Sequence, residues 1–375
     1  MHQRNQIRYL ARADVLRASS ALDPVGIIRD ALLLHGQGRT TLPAEAALTW
    51  RAADGASARS LALPGAIWDD EPALGIKVIN GSLANPSRGL PRAQGLTILF
   101  DPLTAHPVAI MEAAHLSALR TAAYTALSVQ VLGNGDPAAV SVLGCGALGE
   151  MHVTMLAERY PQAAFTLYDT VPERSAGLAA LHRERGIQCV AAKDARTAVQ
   201  DADVVVTTTV TTTSYLEYDW LRPGSLIAHV SLDDVTPEVV RRVDVIIVDD
   251  WELISGDRNR LLGRMYWSGE VAGPDGQLKD PGTTSVRKVS ACLADVLAGR
   301  HPGRESQHQI VLSNPFGMGI LDVALAACLG AQFPNGEAAI TNSAGGVDVL
   351  GRDRLQARPT ARPVPRPAEL VLHGF

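Results

Sequence analysis

A glycine-rich turn, Gly144-Cys145-Gly146-Ala147-Leu148-Gly149, stands between an apolar run at 138–143 and a helical stretch that starts at Gly149. That arrangement suits a pyrophosphate. Gly144 permits the tight turn and Gly146 lets the backbone approach the anion. Gly149 allows close helix–strand packing, and the first helical N–H groups remain free for the ligand. About 20 residues further on, Asp169 ends the next apolar run, where an acid accepts from a ribose 2′-hydroxyl and repels a 2′-phosphate. Together they predict NAD as the cofactor, with capping of the helix at Pro172 as the alternative task for Asp169. Thr208 and Val210 close a later apolar run and either face the cofactor or line an ordinary strand end.

Lys77 is one of only four lysines and lies in an apolar strand, LGIKVI. A strand lysine commonly points to solvent. A desolvated one has a depressed pKa and can polarise an imine or relay a proton. Asp233 and Asp234 follow the apolar run LIAHVSL, at the strand end where ligands bind in parallel sheets. One of them can activate water or shuttle a proton, and either can cap the helix announced by Thr236-Pro237-Glu238.

The elements that must position these residues form two units. Strands at 138–143, 164–168, 204–208, 225–230 and 243–248 alternate with helical stretches, which argues for a parallel sheet covered on both faces. The preceding segment mixes strands at 6–10, 60–63, 74–79, 95–100 and 107–111 with helices at 24–35 and 113–132. After 303 the alternation breaks again, with a strand at 309–313, a turn-rich loop and a helix at 319–331. The predicted class is α/β. A Rossmann-type doubly wound parallel sheet (133–308) binds NAD, and an α+β substrate and dimerisation domain is built from both chain ends, 1–132 and 309–350. Residues 351–375, rich in Arg and Pro, are expected to be poorly ordered.

A hydrophobic content of 46% and a charged content of 19% over 375 residues fit a globular protein and exclude a disordered one. The net charge of -5 argues against nucleic acid as a partner. Cys145, Cys189, Cys292 and Cys328 lack metal-ligand spacing, so no metal is expected and a reducing compartment fits. The N-terminus lacks a signal-peptide core and no apolar run reaches the roughly 20 residues of a membrane span. The expected location is cytoplasmic.

Beyond the glycine turn, the stretch MEAAHLSALRTAA (111–123) resembles a helix of the ornithine cyclodeaminase/mu-crystallin superfamily that ends in Arg-Thr-Ala-Ala. Gly75-Ile76-Lys77, followed by Asn80-Gly81 and Asn85-Pro86, is similar to the segment carrying that family's active-site lysine. LEYDW (216–220), IVDDW (247–251) and NPFGMG (314–319) resemble its 2,3-diaminopropionate-forming branch, used in siderophore and peptide-antibiotic pathways.

The resemblance implies a homodimer and a substrate held between the domains with its α-carbon toward the nicotinamide. It also implies a catalytic role for Lys77, a carboxylate clamp at Arg120, and a loop at Met318-Gly319 over the nicotinamide. The catalytic aspartate is Asp234 by likeness to the branch and Asp233 by count along the cyclodeaminase pattern. A substrate with two or three carboxylates needs further fixed cations, for which Arg92, Arg59 and Arg51 are candidates.

The expected reaction is NAD-dependent oxidative cleavage of N-(2-amino-2-carboxyethyl)-L-glutamate, at a CH–NH group, to 2,3-diaminopropionate and 2-oxoglutarate. The alternatives are an ornithine or lysine cyclodeaminase that returns its hydride, a ketimine or imino-acid reductase, and a non-catalytic nucleotide-binding protein.

Overall fold

The computed structural model describes residues 7–280 and 286–333. Gln6 and the Arg/Pro-rich tail lie outside them. The first sheet contains β1 (Arg8–Leu10), β2 (Thr40–Thr41), β3 (Ala46–Arg51), β4 (Ser57–Ile67), β5 (Ala73–Ser82), β6 (Ala93–Phe100) and β7 (Pro107–Glu112). Its order is β1-β7-β6-β5-β4-β2, with β3 paired to β4. All of these pairs are antiparallel except β1 on β7. The strands read from the sequence at 60–63 and 74–79 are the centres of longer ones. Most of the flanking residues are polar or small, and their pairing comes from the partner strand. In this register Lys77 on β5 lies between Leu63 of β4 and Thr97 of β6.

The second sheet is wholly parallel. It comprises β8 (Ala139–Leu143), β9 (Ala164–Tyr168), β10 (Cys189–Ala191), β11 (Val204–Thr207), β12 (Leu226–His229), β13 (Val245–Val248), β16 (Ala291–Cys292) and β17 (Val311–Asn314). Two short strands, β14 (Val271–Ala272) and β15 (Arg287–Lys288), pair separately. The order β10-β9-β8-β11-β12-β17-β13-β16 reverses direction between β8 and β11, which opens a crevice at their carboxyl ends. This is a Rossmann-type doubly wound fold.

The chain returns to the first layer later than expected. The segment read as the start of the returning piece at 309 supplies β17, which slots between β12 and β13. Its four buried residues, VLSN, belong to the core of the parallel sheet, and among the described residues only the helix Gly319–Ala331 crosses back.

Two helices join the layers. Ala113–Leu132 is alanine-rich and buried along most of its length, and small side chains allow that close packing. Glu112 starts it by accepting from the N–H groups of Ala114 and His115, each at 3.0 Å. The helix Gly319–Ala331 begins hard against β4. A Cβ on Gly319 would lie 2.9 Å from the Pro64 carbonyl, and one on Gly65 would lie 2.9 Å from the Ile320 nitrogen. Such contacts require glycine at both positions, and they hold the helix's first turn over the face of β5 that carries Lys77. A single apolar cluster runs through both layers, from Leu10 through Leu127 and Val142 to Leu329.

Candidate active site at the carboxyl edge of the parallel sheet

The glycine turn has the expected form. Gly144 has φ 99°, and a Cβ there would meet the Thr208 backbone at 2.9 Å. A Cβ on Gly149 would sit 2.0 Å from the Gly144 carbonyl. Above Gly146, by contrast, nothing lies within 4 Å. It is the N-cap of Ala147–Arg159 and supplies no capping side chain. The helix therefore presents unpaired N–H groups to an open space, which fits a pyrophosphate.

Asp169 does not cap the next helix. Its carboxylate accepts from Cys145 N and Val171 N, both at 2.9 Å. The acid is thus fixed beside the glycine turn, and its remaining lone pairs are available to ribose hydroxyls. Burial, and next the charge of Asp169, push the Cys145 thiol up to about 12, which disfavours its thiolate. Thr208 Oγ1 donates to the Gly144 carbonyl at 2.8 Å, and Val210 lies exposed just beyond β11.

Lys77 is 1% exposed. Its Nζ donates to Asp322 Oδ2 at 2.7 Å and to Ser117 Oγ at 3.2 Å. Burial lowers its pKa, Asp322 raises it, and the balance is about 8 against an ordinary 10.5. Arg120 approaches the same carboxylate, with Nε 3.4 Å from Asp322 Oδ1. Asp322 was absent from the sequence reading. It is the one charged residue in the apolar helix GILDVALAACLGA. An isolated acid on a buried helix was the available signal, since such a charge requires a partner.

Around this pair lies a group of charges. The Arg92 pKa is lowered by partial desolvation and then by the like charge of Arg59. Arg260 is lowered mainly by burial, with Arg59 also opposing it and Glu45 supporting it. Arg260 packs over the Phe316 ring at 3.6 Å and donates to the Phe316 carbonyl. Glu45 acts electrostatically on Lys77 as well as on Arg260. Arg120 joins the Lys77–Asp322 pair by contact, whereas Arg59, Arg92, Arg260 and Glu45 are related to it and to one another only through the influence of their charges. Arg51 does not join it, because its guanidinium donates to the Gly55 carbonyl at the tip of its own hairpin, 3.1 Å away.

The two aspartates diverge. Asp234 is fully buried and accepts hydroxyls from Thr209 (2.8 Å), Tyr215 (2.9 Å) and Ser231. Burial raises its pKa against those three bonds. Asp233 is ion-paired to Arg264 at 2.5 Å. Among the described residues neither carboxylate contacts Lys77. His229, whose pKa burial lowers to about 4, lies within hydrogen-bond distance of both the Asp234 backbone nitrogen and the Asn314 side chain.

The loop at 314–319 is pinned by a further acid, Asp249, which is fully buried and accepts from Phe316 N and Gly317 N at 2.7 Å each. Met318 and Gly319 face inward. Met318 is fully buried and Gly319 abuts β4, so both seat the first turn of the last helix. The Cβ position of Gly317 lies 3.1 Å from the Arg120 guanidinium. Among the described residues there is no cluster suited to a metal ion, and no helix is long and apolar enough to cross a membrane.

A doubly wound sheet with this glycine turn and an acid closing its second strand, beside a domain that buries a lysine–carboxylate pair, defines an NAD-dependent oxidoreductase. The chain belongs to the ornithine cyclodeaminase/mu-crystallin family, whose model matches residues 7–334. It is 31% identical over 328 residues to the N-((2S)-2-amino-2-carboxyethyl)-L-glutamate dehydrogenase of Staphylococcus aureus, covering 86% of this chain and 94% of that protein. The crystal structure of CmnK is similar at 39% identity and TM-score 0.79, covering 87% of this chain and 95% of that one. The Thermococcus litoralis Delta(1)-pyrroline-2-carboxylate reductase, at 23% identity and TM-score 0.74 over 87% of this chain and 97% of its own, shares the fold.

Proposed function

We propose that this protein oxidises N-(2-amino-2-carboxyethyl)-L-glutamate with NAD, yielding 2,3-diaminopropionate for siderophore or peptide natural-product assembly. The observation that carries the reading is Arg120 set against the buried Lys77–Asp322 pair, with Arg59, Arg92 and Arg260 as guanidinium groups that feel one another's charge. A substrate with three carboxylates supplies a partner for such a wall, and guanidinium forks bind carboxylates in bidentate fashion. Ornithine, with one carboxylate, would leave most of it unmatched. The likeness to the staphylococcal dehydrogenase supports the same choice.

The glycine turn and Asp169 would hold NAD, which would supply the acceptor for the hydride of the glutamate α-carbon. The arginines hold the carboxylates and thereby fix the α-carbon. Lys77, with its pKa near 8, takes the proton from the secondary amine as its C–H bond is oxidised to C=N. Asp322 keeps Lys77 in place and stabilises the ammonium so formed. Water then adds to the imine carbon, and C–N cleavage releases 2-oxoglutarate and 2,3-diaminopropionate. One NADH and one proton are produced for each water consumed. Asp234, both of whose oxygens accept hydroxyls, is assigned to organising the crevice edge. Asp233, paired to Arg264 through one oxygen, is the carboxylate assigned to activate water. Exposed Leu48, Trp50 and Leu96 on the first sheet support a homodimer formed through that domain.

The test mixes enzyme and NAD with this substrate, or with ornithine or lysine, and follows NADH absorbance and products by mass spectrometry. NADH equal to 2-oxoglutarate and diaminopropionate is expected. Ammonia with proline or pipecolate, and no net NADH, would make the protein a cyclodeaminase.

A further inference from the structure

Glu45 is anomalous in this crevice. It stands just before β3, half-buried, in the wall of a small cavity that it shares with Leu63, Pro64, Phe316 and Gly317. The cavity lies where the first sheet meets the loop pinned by Asp249. Two residues of the cavity wall touch guanidinium groups, since the Phe316 carbonyl accepts from Arg260 and the Cβ position of Gly317 lies 3.1 Å from Arg120. The charge of Glu45 acts on both Lys77 and Arg260. Yet among the described residues it forms no hydrogen bond and no ion pair with either. Lys77 is committed to Asp322 and Ser117, and Arg260 to the Phe316 carbonyl and Asp257. A carboxylate left uncommitted among cations weakens the attraction of the site for anions. Retaining it makes chemical sense where the ligand brings a positive charge to that spot.

We propose that Glu45 is a specificity-determining residue that binds the primary ammonium of the substrate's aminocarboxyethyl arm. This rests on the function proposed above. The arginine wall recognises carboxylates and cannot distinguish a substrate bearing that amine from one lacking it. A single acid beside the wall can. The amine is not oxidised and loses no proton, so Glu45 acts only by binding.

The experiment compares N-(2-amino-2-carboxyethyl)-L-glutamate with N-(2-carboxyethyl)-L-glutamate, which keeps every carboxylate but lacks the primary amine. Wild type, Glu45→Gln and Glu45→Asp are each assayed with NAD, after thermal melting has established that the variants fold. Loss of a charge-assisted hydrogen bond should reduce the kcat/KM preference for the amine-bearing compound by about 10- to 100-fold in Glu45→Gln, mainly through KM. Glu45→Asp should restore part of the preference. An unchanged preference in Glu45→Gln, with both substrates falling together, would overturn the proposal and leave Glu45 acting through Lys77 or Arg260. Calorimetric binding of the two compounds to the NADH-loaded enzyme is measured in parallel, because it reads Glu45 without turnover. Equal affinity for both in wild type would also overturn it. Selective binding lost in Glu45→Gln, without NADH production by wild type, would uphold Glu45 and sink only the proposed reaction.

Discussion

Replacing Asp322 by Asn isolates the electrostatics of Lys77 with little change in shape. In the native protein burial drives the lysine down while the carboxylate 2.7 Å away supports its charge, giving a value of about 8. The gap from 10.5 corresponds to about 3 kcal/mol against the protonated form. In Asp322→Asn the burial remains and so does the repulsion from Arg120, but the counter-charge is gone. Removing an opposite charge at this range lowers such a group by about 1–3 pH units. If neutral Lys77 is the base, wild-type kcat/KM should fall on the acid side with an inflection near 8. In the variant that inflection should move to about 5–7. The plateau should also drop, because a weaker base accepts the amine proton less readily, within the roughly 10²–10⁴-fold that general acid–base catalysis contributes.

Stability follows the same linkage. Between the folded value of about 8 and the ordinary 10.5 the unfolded chain holds more protons, so this group's contribution to stability rises with pH across that window. Below about 8 its cost is fully present. The variant's window should extend to lower pH. The assay is initial NADH formation across buffers, with melting temperature recorded at each pH. An inflection that stays near 8, or rises, would refute the reasoning, since another group would then be titrating.

Asp169→Asn removes the charge that opposes a 2′-phosphate beside the glycine turn. The ratio of kcat/KM for NAD over NADP should fall about tenfold, read by steady-state kinetics with each cofactor. Gly149→Ala forces a methyl to within 2.0 Å of the Gly144 carbonyl, and overpacking of this kind costs about 1–3 kcal/mol. Its melting temperature should fall, and the rise that NAD confers on wild type should shrink. Both are read by thermal unfolding with and without NAD.

The parts of this protein governed by local pattern were legible in its sequence. The helix Ala113–Leu132 and strands β8 and β9 follow from apolar periodicity and from glycines at a strand end. Lys77 and Arg120 were singled out from the sequence, and the fold brings both to Asp322. What escaped notice depends on tertiary approach. β3 has no buried residue, so no alternation marks it, and its register comes from β4 alone. β17 follows a long excursion, and nothing local says that it inserts between β12 and β13 instead of returning to the first layer. Asp322 is 245 residues from Lys77, and only the Gly65–Gly319 approach brings the two together. Arg51 was indistinguishable from Arg59 as a type, and the hairpin turn at Gly55 alone separates their tasks.

Among the acids the assignment turns on free valence. A carboxylate that activates water must offer an unoccupied oxygen to it. Asp234 already accepts three hydroxyls, and its own N–H meets His229 at 3.3 Å. It ties the strand end after β11, through Thr209, to the turn after β12, and so shapes the crevice floor next to Thr208 and Gly144. That is a positioning task. Asp234→Asn keeps the volume but turns one acceptor into a donor facing hydroxyls that must reorient. Loss of such a buried hydrogen bond costs about 1–3 kcal/mol, and it falls on the geometry of the cofactor edge. The expected result is weaker NAD binding by equilibrium fluorescence titration, with a raised KM for NAD and a smaller effect on kcat at saturating cofactor. An Asp234→Asn enzyme that binds NAD normally but has lost kcat with a changed pH profile would reverse this assignment and make Asp234 the catalytic carboxylate.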